Sequence, residues 1–158
     1  MTEYTLPAFE KPPVVEVICG ILFHDIQGLL GAHLGDFWDK VRADYPSCKE
    51  VAPLAAVVER FGERGAIKVE FTDVPPMPRT WFIHKDETGI IQVQRDRFLH
   101  NWKKVSEGDE YPRYETVISL FKDRLSVFES FLAEHSFGPI SPMQYELTYV
   151  NHIPVGEG

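Results

Sequence analysis

Apolar and polar positions alternate early in this chain and then change period. From Val14 to Phe23 one alternate set, Val15, Val17, Cys19, Ile21 and Phe23, is wholly apolar. The other set mixes Glu16 and Gly20 with Val14, Ile18 and Leu22. A period of two predicts a strand with one face in a core and one mixed face. After Gln27-Gly28 the spacing lengthens, and Leu30, Leu34, Phe37, Trp38, Val41 and Tyr45 recur at helical intervals as far as Pro46. That predicts an amphipathic helix stopped by proline.

The middle of the chain reads as strands. Val57-Val58-Glu59-Arg60-Phe61 and Ile67-Lys68-Val69-Glu70-Phe71 flank Gly62-Glu63-Arg64-Gly65, which predicts a hairpin. The proline-rich run Val74 to Pro78 separates it from a second hairpin, Thr80–His84 with Gly89–Gln94. The later strand is expected to run on to Trp102. Its even positions are Gln92, Gln94, Asp96, Phe98, His100 and Trp102; its odd positions are Val93, Arg95, Arg97, Leu99, Asn101 and Lys103. Neither set is uniformly apolar, so amides, guanidinium groups and aromatic rings are expected at the sheet surface.

Tyr114, Val117, Ile118, Phe121, Leu125, Phe128 and Leu132 give the cleanest helical stripe, ended by Gly138 and Pro139. Met143, Tyr145, Leu147 and Tyr149 then alternate with Gln144, Glu146 and Thr148 in a last strand. Residues 1–13 form a polar lead-in, 14–153 a single domain and 154–158 a tail. With right-handed crossovers, this order predicts an α+β fold. It is a ferredoxin-like βαββαβ sandwich with a mainly antiparallel sheet, two helices on one face and an extra hairpin from the 53–73 region. The second helix is expected on the Val15, Val17, Ile21 and Phe23 face, leaving the other sheet face open.

Composition narrows the function classes. The 158 residues carry 16 basic and 24 acidic side chains, a formal charge of −8, which repels phosphate backbones and argues against nucleic acid. Arg95-Asp96-Arg97 with Lys103-Lys104 is a local basic exception. No apolar run approaches the ~20 residues that cross a bilayer, and Met1 to Leu6 lacks signal-peptide character. Cys19 and Cys48 make no disulfide framework. The expectation is a cytoplasmic protein without a membrane partner.

No catalytic signature stands out. The six histidines, His24, His33, His84, His100, His135 and His152, show no metal-binding spacing. Cys19 sits in an apolar alternation that suits a packed thiol better than a nucleophile. No phosphate-binding glycine loop is present, and neither a metal nor a cofactor is expected. Glu16 and Glu146 fall on the mixed faces of two strands that would be neighbours. Opposed there, they would shift each other's titration; otherwise they are a polar surface.

Four motifs in order carry a resemblance. These are Pro13-Val14-Val15-Glu16-Val17; Gln92 to Phe98 with Asn101-Trp102; Tyr111-Pro112-Arg113-Tyr114-Glu115; and Glu146 to Ile153. Over about residues 13–153 the chain resembles a sporadically distributed bacterial and archaeal family whose function is not established. The resemblance implies that this chain corresponds to the N-terminal part of longer members. It supplies no catalytic residues.

Two functional readings follow. The first is a non-catalytic interaction module using the open sheet face for a protein partner or for self-association into a homodimer. Its contacts would be Arg95, Arg97 and Trp102, with Leu22 and Phe98 as apolar contributors. The alternative is a small-molecule-binding or hydrolytic domain with a polar pocket over the same sheet, using Glu16, Glu146, His100 or His152.

Overall fold

A computed structural model of the chain describes residues 9–55 and 77–156. The elements are β1 (Val14–Phe23), a 3-10 turn (Gly31–His33), α1 (Leu34–Val41), β2 (Ser47–Val51), β3 (Arg79–Ile83), β4 (Gly89–Gln94), β5 (Arg97–Lys103), α2 (Tyr114–Glu134) and β6 (Pro142–Asn151). Every strand pair is antiparallel, and the sheet runs β2-β3-β4-β5-β1-β6. The fold is therefore α+β, with a six-stranded sheet and two helices. Its strand order is wider than a simple four-stranded ferredoxin arrangement.

Both helices face one side of the sheet. Of the apolar set of β1 that the alternation singles out, Val17, Cys19, Ile21 and Phe23 are buried there together with Phe98 and Trp102 of β5, while Val15, at a register shift, is half-buried. α2 packs over β5 and β1 through Val117, Phe121, Phe128, Phe131 and Leu132. α1 adds Leu34, Phe37 and Val41 to the same core. It is shorter than its sequence period suggests. Tyr45 lies beyond its end, buried, with its amide bonded to the Val41 carbonyl.

One long strand over Gln92–Trp102 is not what forms. The chain turns at Arg95-Asp96, and β4 and β5 pair with Gln94 opposite Arg97. Backbone bonds from Phe23 N–H to the Asp96 carbonyl and from Ile26 N–H to the Arg95 carbonyl hold this turn against β1. The turn also shifts the face parity. Ile91, Val93, Phe98, His100 and Trp102 share the helix side; Ile90, Gln92, Gln94, Arg97, Leu99 and Asn101 share the other. The mixed alternation was two clean alternations read through a turn.

β2 carries no strong apolar pattern and was not anticipated from sequence. It pairs with β3 and is an edge strand among the described residues. The expected hairpin of Val57–Phe61 with Ile67–Phe71 lies outside the described residues.

The second sheet face is not open. Leu22 is 1% exposed, and Ile90, Leu99, Gln92 and Asn101 are buried beside it. Gly20 shows how closely this face packs, since a Cβ there would meet Leu99 Cδ2 at 2.4 Å. Gly20→Ala is expected to cost about 1–3 kcal/mol through overpacking, read as a lower urea midpoint. An unchanged midpoint would mean that Leu99 has room to move.

Candidate functional site

The residues proposed from sequence do not form one site. His100 and Trp102 point to the helix side, whereas Arg97 and Glu16 belong to the opposite face and Arg95 sits in the turn. Glu16 pairs with Val150, and Glu146 with Gly20. The two carboxylates are thus four residues apart along β1, roughly 13 Å, and do not form a pair. His152 is exposed and is held by its backbone N–H on the Pro13 carbonyl.

Three of these side chains are tied to other parts of the fold: Arg97 to Asp96 and Ala55, Glu16 to Asn101, and His100 to Tyr45. Arg97, 4% exposed, donates from Nε to Asp96 Oδ1 at 3.1 Å and from Nη2 to the Ala55 carbonyl at 2.8 Å. Gln94 donates to Asp96 and exchanges two bonds with the Leu54 backbone. The basic segment is therefore a clamp that fixes residues 54–55 across the β4–β5 turn. On the same face Gln92 Nε2 donates to Asn101 Oδ1, and Asn101 Nδ2 donates to Glu16 Oε1, both at 2.7 Å.

On the helix side the Tyr45 hydroxyl and His100 Nε2 lie 3.1 Å apart in the core. Burial, reinforced by Arg124 and then His84, lowers the His100 pKa from 6.5 to about 4, so the imidazole is neutral at pH 7. Burial raises the Tyr45 phenol and the Cys19 thiol, leaving both protonated. Neutral, enclosed groups suit packing rather than proton transfer.

The sign of the linkage follows. Unfolding lets His100 bind a proton that the fold resists, so stability is full above pH 6.5 and is lost as pH falls towards 4. At pH 4.5 the loss from this residue is on the order of 2–3 kcal/mol. His100→Gln should flatten the acid limb of urea-unfolding stability between pH 7.5 and 4.5 by about that amount. An identical acid slope in the variant would contradict a neutral, buried His100.

Among the described residues no three His, Cys, Asp or Glu side chains gather as a metal site requires. Both cysteines are free, Cys19 buried and Cys48 exposed. Three shallow clefts indent the surface. One, of about 350 Å³, lies between α1 and β2–β3 beside Trp38, Cys48 and Lys49. A second, of about 360 Å³, opens at the β4–β5 turn, and a third, of about 490 Å³, lies where α2 ends before β6.

The largest unused feature is β6. Tyr145, Leu147 and Tyr149 stand opposite Ile21, Cys19 and Val17, and therefore on the helix side. α2 covers β5 and β1, and these β6 side chains remain out in solvent. Tyr145 is 71% exposed and Leu147 50%, with Met143, Tyr149, Val150 and Ile153 also open. The row is steadied at one end, where the Tyr111 and Tyr149 hydroxyls lie 3.1 Å apart and Tyr111 packs on Trp102. Burial, and then the Tyr149 hydroxyl, push the Tyr111 phenol up, so this contact is neutral.

The backbone of β6 is half used. Phe23 N–H bonds to Asp96, and Lys104 N–H bonds to the Val15 carbonyl, so odd residues of β1 face β5. Ladder alternation then turns even residues of β1 towards β6, where they meet Gln144, Glu146, Thr148 and Val150. The amides and carbonyls of Tyr145, Leu147, Tyr149 and Asn151 consequently point off the sheet, whereas the register shift opposite Leu22 and Phe23 turns the Met143 amide towards β1. No described strand receives the outward groups.

Sequence reasoning found the β6 alternation and missed its meaning, because period alone cannot tell a covered row from an open one. The missing information is that α2 sits over β1 and β5. No protein-family model, no curated protein and no solved structure matches this chain.

Proposed function

We propose that this protein is a non-catalytic interaction module that binds an extended segment of a protein partner along the outer edge of β6. The contrast between its two sheet edges carries this reading. β2 is five residues long and carries Lys49 and Glu50, as protected edges do. β6 is ten residues long, has Glu146 as its one charge and confines proline to its first position. An apolar edge of that length is a template for an added strand.

Backbone bonds to the odd residues of β6 would supply affinity. The Tyr145–Leu147–Tyr149 row would favour apolar side chains at alternate positions. The two free thiols fit a reducing cytoplasm. The partial order β6-β1-β5-β4 supports a ferredoxin-like core extended by β3 and β2. The four-motif resemblance fits a module that works within a longer protein.

Panning the purified chain against a random peptide library tests this function. Selected peptides should alternate apolar residues, shift the amide resonances of the odd residues in 145–151, and bind Leu147→Lys at least tenfold more weakly. Recovery of no binder, or of peptides that shift Lys49 and Glu50 instead, would overturn the edge reading.

A further inference from the structure

We infer that the strand received by β6 is the β6 of a second copy of this chain, paired antiparallel about a two-fold axis at Leu147. This rests on the edge reading and adds the identity of the partner.

Register decides the geometry. In an antiparallel ladder, directly opposed residues point to the same face, so two identical strands with free groups at odd positions must centre on a residue. Centring on Glu146 sets two carboxylates against each other, which is destabilising. A centre at Thr148 lays Glu146 against Val150 and Tyr145 against Asn151, wasting the apolar row. With Tyr145 at the centre, Tyr149 meets Ser141, which lies before the strand. Only Leu147 keeps the pattern whole. It opposes itself, Tyr145 opposes Tyr149, Glu146 opposes Thr148 and Gln144 opposes Val150.

That arrangement runs the ladder from Tyr145 to Tyr149 on both copies, inside the bulge that ends the free edge at Met143. It opposes no like charges and places aromatic rings across from each other on the helix side, a favourable cross-strand pair. The exposed fractions of these side chains, at about 150–250 Å² for a whole aromatic ring, amount to several hundred Å² per copy. With the covered backbone, the two copies reach the ~1,000 Å² at which specific interfaces begin. The sheet would become continuous across the dimer, and its two unprotected edges would disappear together. Among the described strands, the charged β2 edges would then end the sheet on both sides, as an isologous interface requires.

Sedimentation equilibrium of the wild-type chain, across low to high micromolar concentration, should show a reversible dimer. Because each chain carries −8, association should strengthen as salt screens the repulsion. Leu147→Lys, which sets two lysines on the axis, should weaken the dimer at least tenfold and leave the melting temperature of dilute, monomeric protein unchanged. In a Cys48→Ser background, Leu147→Cys should oxidise to a cross-linked dimer and Met143→Cys should not. A monomer at every concentration, a dimer indifferent to Leu147→Lys, or equal cross-linking at Met143 would each overturn the proposal. A monomer that still takes peptides on the odd residues of β6 refutes the second copy alone. One that takes none refutes the edge reading as well.

Discussion

Phe37→Ala is expected to lower stability by about 3–5 kcal/mol, the cost of a lost buried ring and the cavity it leaves. Phe37 is fully buried, and its ring stands 5.3 Å from Phe82, 5.5 Å from Phe128, 5.8 Å from Phe131 and 6.4 Å from Phe98. It is where β3, β5, α1 and α2 converge. α1 has eight residues, of which Leu34, Phe37 and Val41 are buried, too short a helix to persist without such anchoring. Urea unfolding beside the exposed control Lys122→Ala is the check. A loss no larger than the control's would mean that this ring does not join the two helices to the sheet.

Arg97→Met should cost a similar 3–5 kcal/mol, for a different reason. The Asp96 carboxylate is buried and takes the Arg97 Nε and Nη2 donors at 3.1 and 3.2 Å. Removing the cation strands a buried charge, which costs far more than the pair itself contributes. The Ala55 carbonyl also loses its Nη2 donor. If the stranded charge is the cause, Asp96→Asn combined with Arg97→Met should recover a large part of the loss. A single-variant cost under about 1 kcal/mol, or no recovery in the double variant, would contradict a structural role for the basic segment.

That segment shows what could be read from sequence and what could not. Val14–Phe23, the stripe from Tyr114 and the alternation after Met143 each declare one element and one face, because each repeats a single period over several residues. β4 and β5 hid as one strand because Arg95-Asp96 is a turn without glycine or proline, held by side-chain and backbone bonds to β1 and to residues 54–55. Ser47–Val51 hid because an exposed edge strand needs no apolar alternation.

The candidate site was less legible still. Arg97, Gln94 and Asn101 looked available because one sequence cannot show that they bond to Asp96, Leu54 and Glu16. Leu22, Phe98 and Trp102 looked like one exposed surface. In the structure Phe98 and Trp102 belong to the helix-side core, and Leu22 is buried on the other face. Tyr145 and Leu147 alternate just as Ile21 and Cys19 beside them do, yet one row is exposed and the other buried. Only the position of α2 over the sheet separates the two rows.

Residue-resolved amide hydrogen exchange on dilute wild-type protein tests the exposed β6 edge most directly. If that edge is free, the amides of Tyr145, Leu147 and Tyr149 exchange quickly while those of Glu146 and Thr148, bonded to β1, stay protected. Raising the protein concentration or adding a selected peptide should then slow the odd set alone. Equal, strong protection of both sets in dilute protein would show that the edge is already occupied and would contradict the account.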